Sequence, residues 1–450
     1  MKDKKPQSKA APRKRLAAAS SPLAAESSLL IADARLLDPA SGLDMAGFLG
    51  IRDGRITYAG RNRPKDKYAE TLDARGLWLM PGIVDLAARF REPGQTTKAT
   101  IASETLAAQA AGITGVVLPP DTSPVVDSPS VVDRIRGKAQ AAGGLDIHVL
   151  GALTKNLDGE ALSEMSALKQ AGCVGVSNAA FGLRDSLMGR RALEYAQGLG
   201  LTVHVFPQNP ALANGGCAHE GPVGTRLGLP PIPAAAEVSA IRFWITLVED
   251  TGARVHFGRL STARGAALVE TAQKRGLPVT ADVAAHQLFL TDVDVEGFNA
   301  MCHVIPPLRS AEDRDALRAA VKSGVIGAIC SDHQPHEADA KTNPFPLTEP
   351  GISALETLLP LTLRLVHDKL ISPLQAADRL STTPAIIAGV ASGTLMLGAN
   401  ADLALVDPAT RWTLHAEKLL SAGRNTPFDG NAFTGQVLRT IHRGRSVYAA

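Results

Sequence analysis

Aromatic residues are scarce in this chain: Phe, Trp and Tyr make up 4% of 450 residues. That shortage, with Ala and Leu dominant, argues against a β-sandwich alone and suits α/β layers. Cysteine is also rare. Cys173, Cys217, Cys302 and Cys330 lie far apart with no CxxC pair, which excludes a disulfide framework and fits a reducing, cytoplasmic setting. No apolar run approaches the roughly 18 residues of a membrane span. An excess of one charge is missing too: 47 Lys and Arg face 44 Asp and Glu, a net charge of +3. Much of that excess sits in the first fifteen residues, so the body is near neutral and offers no nucleic-acid surface.

What is present is length and apolar content. With 45% hydrophobic residues, the chain fits one large barrel plus a smaller module. Residues 1–28 carry Lys2, Lys4, Lys5, Lys9, Arg13, Lys14 and Arg15 among Pro, Ser and Ala, which predicts a solvated, disordered basic tail. The alternative, a signal peptide, is weakened because LAAASSPLAA is short and broken by Ser and Pro. Residues 29–80 and 391–450 show short alternating segments with Gly and Asp turns. Neither set closes a sheet alone, so both termini are expected to build one β-module around residues 81–390.

That central part alternates apolar strands with helical runs. IVDLA, TGVVL, IHVLGA, CVGVS, LTVHVF, ARVHFG, PVTADV and VIGAICS are the expected strands. ATIASETLAAQAAG, GEALSEMSALKQAG, SLMGRRALEYAQGLG and AALVETAQKRG read as helices, several ending at Gly. Eight such repeats predict a TIM (β/α)8 barrel, whose sites gather at the C-terminal strand ends.

The strand ends carry a specific pattern. Residues 81–94 read PGIVDLAARFREPG, and ICSDHQPH, GISALETLLPL and GTLMLGANADLALVDP follow in order. Over residues 29–449 the chain resembles the type I dihydroorotase branch of the amidohydrolases. That resemblance implies six metal-ligand positions, which fall at Ala87, Arg89, Asn178, Phe206, Arg259 and Asp332. A methyl group cannot ligate zinc, and a guanidinium has no free lone pair. Only Asp332, at the catalytic aspartate, keeps its chemistry, and it is expected to be idle. Without zinc the attacking water keeps a pKa of about 15.7 instead of about 7. No zinc or other cofactor is therefore expected.

Remnants of a substrate pocket are implied at Arg91, Asp121, Ile305 and His336. Arg91 corresponds to a carboxylate-binding arginine, with a structural pairing to Glu92 or a barrel carboxylate as the alternative. Asp121 replaces an asparagine and would repel an anion. Ile305 replaces another. His204 is read as a displaced ligand or a satisfied core histidine, and His256 as a non-ligand. His286 and Thr291 are read as packing and turn residues, and the prolines Pro119, Pro120 and Pro124 as a structural turn. Arg89 and Arg259 are expected to pair with Asp332 or Asp121, supplying positive charge where zinc would sit.

Three functions follow. The first is a catalytically inactive homologue that acts as an assembly subunit of aspartate carbamoyltransferase in pyrimidine biosynthesis, as in the zinc-less class that forms hetero-dodecamers. The second is a cyclic-amide hydrolase with a rearranged site drawn from His204, His286, Asp332, His333 and His336. The third is a sensor gripping a carboxylate with Arg91 and His336.

Overall fold

In the computed structural model, residues 28–450 are described. The tail expected over residues 1–28 lies outside them, apart from Ser28, which opens the first strand.

Eight short parallel strands form the barrel. In chain order they are Ile83–Asp85, Ile113–Leu118, Asp146–Ala152, Gly175–Ser177, Thr202–Val205, Val255–Phe257, Val279–Ala284 and Ala328–Cys330. They pair in that order, as the eight apolar runs predict. Their side chains alternate: Val203 and Val205 pack in the main core with Trp244, while His204 lies against His256 at 5.1 Å between ring centroids.

The first and eighth strands meet beyond their ends. Ala88 bridges His333 in parallel, and Arg89 N donates to His333 O at 2.9 Å. Beneath this bridge the buried Asp85 carboxylate accepts from Ser331 N at 2.9 Å and from the Ser331 hydroxyl.

Both termini share one eight-stranded sheet. Ser28–Asp38, Leu43–Arg52, Arg55–Gly60, Glu70–Asp73 and Trp78–Pro81 join Leu403–Thr413, Ala432–His442 and Arg445–Ala449. The join is antiparallel: Leu79 faces Leu405 and Met80 faces Ala404. Burial of Ile31, Leu36, Leu49, Ile51, Leu79, Leu403 and Leu405 supplies its core.

Helices cover the barrel at Ile101–Ala110, Ser186–Gly198 and Ala263–Lys274, as three of the periodic runs predict. The fourth run is corrected. In GEALSEMSALKQAG only Met165–Gln170 is helical. Its first half returns to the barrel, with Thr154 bridging Leu162 and Ser163 N donating to Leu153 O at 3.1 Å. Pro129–Ala142, Ala234–Thr251, Ala311–Ser323 and Leu355–His367 add four helices beyond those runs. Among the described residues no helix is long and apolar enough to cross a membrane, and all four cysteines are free and buried.

Candidate functional site

The C-terminal strand ends gather Ala87, Arg89, Phe206 and Arg259 around one mouth. Arg89 follows the first strand, and its Nε lies 2.9 Å from Asp121 Oδ2 on the second. Its guanidinium also comes within 3.7 Å of Asp332 Oδ1. Arg259 follows the sixth strand and reaches the same Asp332 oxygen at 3.0 Å. The Arg259 guanidinium lies over the Phe206 ring at 4.3 Å from its centroid. The expected arginine–carboxylate pairs are thus formed, with Asp332 receiving both cations.

The backbone aims these groups. Arg91, Arg259 and Asp332 have φ of 60°, 62° and 48°, a left-handed conformation that non-glycine residues rarely hold without support. The support is visible. Arg259 N donates to Asp282 Oδ1 at 2.5 Å. Two residues on, Ser261 and Thr262 bind the buried Glu237 carboxylate through their backbone and hydroxyl groups, at 2.6–3.0 Å. Gly94 closes the REPG turn: a Cβ there would lie 2.5 Å from Ser123 O.

Electrostatics favour charged forms. Burial pushes the Asp121 carboxyl up, but the charge and hydrogen bond of Arg89, with Arg259 and Arg91 nearby, hold it below the usual range. Burial opposes charge on Arg259 as well, and Asp332 leads the groups that outweigh it. The negative charge placed at Asp121 is therefore neutralised by Arg89.

Asn178 turns away from ligand chemistry. Its Oδ1 accepts from Thr154 Oγ1 at 2.7 Å, and its Nδ2 donates to Phe181 O and Gly182 O at 3.1 Å. It ties loops together. Among the described residues no group of three His, Cys, Asp or Glu side chains is placed to hold a metal ion. Arg89, Phe206 and Arg259 supply no ligand atom beside the Asp121 and Asp332 carboxylates, which the two guanidiniums already hold, so these residues do not fit zinc.

A second cluster lies beside the first. Arg91 NH2 is 3.0 Å from His336 Nε2, and Lys98 Nζ is 3.2 Å from Nδ1. Arg91 Nε also donates to Pro335 O at 3.1 Å. The alternative pairing with Glu92 is corrected: Glu92 accepts from Ile101 N at 3.0 Å and pairs with Lys138 at 3.2 Å. Burial, then Arg91 and Lys98, hold His336 down at about 3, so it is neutral. Burial and Arg89 bring Arg91 down to about 10, which leaves it charged at neutral pH. Ile305 is not in this cluster; it packs against Ala213, Ile232 and Ala236.

The remaining histidines do not converge. His333 Nε2 bonds Glu104 Oε2 at 2.8 Å, and its Nδ1 accepts from Ala354 N at 3.0 Å. His256 is bound by Thr280 and Asp282, each at 2.9 Å. His204 is buried with Nε2 unpartnered, and His286 is buried with neither ring nitrogen partnered. The reading of His204 as a satisfied core histidine is therefore corrected. Burial holds His204 at about 3 and His286 at about 4. Thr291 is a turn residue, capping Asp292–Phe298 through Asp294.

Sequence reasoning missed Lys98, Glu104, Asp282 and Asn425. Asn425 Oδ1 accepts from His336 N, and its Nδ2 donates to Gln334 O, each at 2.9 Å. Its NTPF segment was the available signal. Nothing local marks Glu104, which reads as one acidic residue on a mostly apolar helix.

Known proteins bear out the frame. Residues 76–264 match a family model described as dihydro-orotase-like, and residues 248–447 match the amidohydrolase family. A dihydroorotase-like protein of Pseudomonas aeruginosa is 48% identical over 91% of this chain and 97% of its own length. A dihydroorotase of Anaeromyxobacter dehalogenans is 40% identical over 92% of this chain and 96% of its own. In fold, an L-hydantoinase (dihydropyrimidinase) from Arthrobacter aurescens superposes with a TM-score of 0.85 at 22% identity, covering 94% of this chain and 96% of that one. With close to half its residues shared along nearly the whole of such a relative, the chain belongs to the dihydroorotase-like amidohydrolase family.

Proposed function

We propose that this protein is a non-catalytic dihydroorotase-like chain. It assembles with the catalytic chain of aspartate carbamoyltransferase, as a cytoplasmic hetero-dodecamer serving de novo synthesis of UMP. The observation that carries the reading is the Asp332 carboxylate held by Arg259 at 3.0 Å and by Arg89 at 3.7 Å. Asp332 stands where the family's aspartate binds metal and takes a proton from water. Two guanidiniums at its Oδ1 already stand where a metal cation would approach, and they repel one. Ala87, Asn178 and Phe206 add no replacement ligand, so the chain carries no zinc and leaves dihydroorotate unhydrolysed.

The partner is assigned from the resemblance to zinc-less dihydroorotase-like chains that support this transferase. Apolar clusters hold the barrel and the terminal sheet, which suits a structural subunit. The test mixes the purified chain with the same organism's aspartate carbamoyltransferase chain and measures mass by light scattering after gel filtration. A mixed complex of two hexamers, with transferase activity gained on mixing, is the expected result. Independent elution defeats the assembly role. Stoichiometric zinc in the purified chain, with dihydroorotate turnover, defeats the non-catalytic reading.

A second reading has its own observation. Arg91 and Lys98 flank neutral His336, with Glu349 3.7 Å from Lys98, a cluster that a carboxylate ligand could enter by displacing Glu349 to tune assembly. Calorimetry with dihydroorotate checks it: saturable heat that disappears in Arg91→Ala supports a sensor, and its absence removes that role. No observation favours the rearranged hydrolase.

A further inference from the structure

Beside the mouth, between the loops after the fourth and fifth strands and the helix Ala234–Thr251, lies a cavity of about 300 Å³. That volume is at the lower end of the roughly 300–1,000 Å³ typical of small-molecule sites. Its walls include Phe181, Phe206, Phe243 and Trp244, a concentration of rings in a chain with 4% aromatics. Phe181 is 57% exposed at its edge.

The polar groups on the wall set the ligand's chemistry. The Trp244 indole N–H has no hydrogen-bond partner among the described residues. The Gln208 side chain is likewise unpartnered among them. Charge is nearly absent. Among the described lining residues the one carboxylate is Asp185, which accepts from Met188 N at 2.8 Å and pairs with Arg184 at 3.0 Å. No lysine or arginine lines the wall.

We propose that this cavity binds an uncharged, planar heteroaromatic molecule, stacked among the phenylalanine rings and accepting a hydrogen bond from the Trp244 indole N–H. The site is separate from the Arg91–His336 grip, whose cations suit an anion. It borders the Asp332 site at Phe206, whose ring lies under the Arg259 guanidinium, and is tested by binding alone.

Nicotinamide and nicotinate test it, since they share a ring and differ in charge. Calorimetric titration of the full chain is expected to show saturable nicotinamide binding, with nicotinate at least about tenfold weaker, a difference of about 1.4 kcal/mol. Trp244→Phe keeps the ring and removes the N–H; it is expected to weaken nicotinamide about fivefold, the worth of one hydrogen bond. Ser239→Phe, checked for folding by its melting temperature, fills the cavity and is expected to abolish binding. Three results overturn the assignment: no saturation by nicotinamide, equal or tighter nicotinate, or unchanged binding in both folded variants.

Discussion

The terminal sheet and the barrel mouth bury different kinds of atoms. The sheet packs Leu36, Leu49, Ile51 and Leu405 at its centre and leaves its Arg35–Asp44 pair at the surface, with side chains 41% and 32% exposed. The mouth buries Asp85, Glu104, Asp282 and Asp332 with their partners. Buried ion pairs seldom improve on apolar packing, because desolvation consumes their Coulomb energy. A stability rationale therefore explains the sheet and not the mouth. The mouth instead commits burial to charge, with the Arg89 and Arg259 guanidiniums drawn in against Asp121 and Asp332.

Four substitutions sharpen that contrast. Arg259→Ala has the largest expected effect. It leaves the buried Asp332 carboxylate with Arg89 at 3.7 Å and the Gln334 amide at 3.3 Å, and removing one partner of a buried pair costs about 3–5 kcal/mol. Urea denaturation measures the loss; a change under about 1 kcal/mol would show that the pair is solvated. Leu36→Ala follows. Leu36 is fully buried in the sheet, so truncation should cost about 3 kcal/mol through lost burial and a cavity. If the variant unfolds with native stability, the sheet is not held by apolar packing.

The third test uses pH. Burial holds His286 at about 4, against an ordinary 6.5. The unfolded chain takes up a proton below about 6.5, whereas the folded chain does not until about 4. Stability is therefore lost as pH falls through that window, at about 1.4 kcal/mol per unit. Asp85 acts in the opposite direction, since burial raises its carboxyl to about 7 and favours the folded state in acid. The difference between His286→Gln and the native chain isolates the imidazole. The variant should lose about 2 kcal/mol less between pH 6.5 and 5. Parallel pH curves would mean that His286 is hydrated. Arg35→Ala comes last: its partly exposed pair should cost under about 1 kcal/mol. A loss as large as that of Arg259→Ala would erase the comparison.

The legible parts of the chain were those with a short period or a rigid spacing. Eight β-rich runs located eight strands, because an apolar strand buried on both faces needs no distant partner to be recognised. Ala263–Lys274 was legible from periodicity. Met165–Gln170 was overextended because the preceding residues also look helical, yet their backbone bonds to Leu153 and Lys155. The motif positions fixed which side chains stand at the mouth. They did not reveal that Glu237 secures the Ser261–Thr262 turn, or that Lys98 reaches His336, since these contacts join segments far apart in sequence.

By itself, then, the sequence determined the alternation of strands and helices and the identity of every residue at the strand ends, Ala87, Arg89, Asn178, Phe206 and Arg259 among them. The tertiary structure decided which charges neutralise one another. Asp332 takes Arg259 and Arg89, Asn178 ties loops, and His204 and His286 stay unpartnered. The physical reason is range. Strand and helix patterns are set by neighbours a few residues apart. A buried charge is satisfied only by whatever the closed barrel brings within about 3–4 Å.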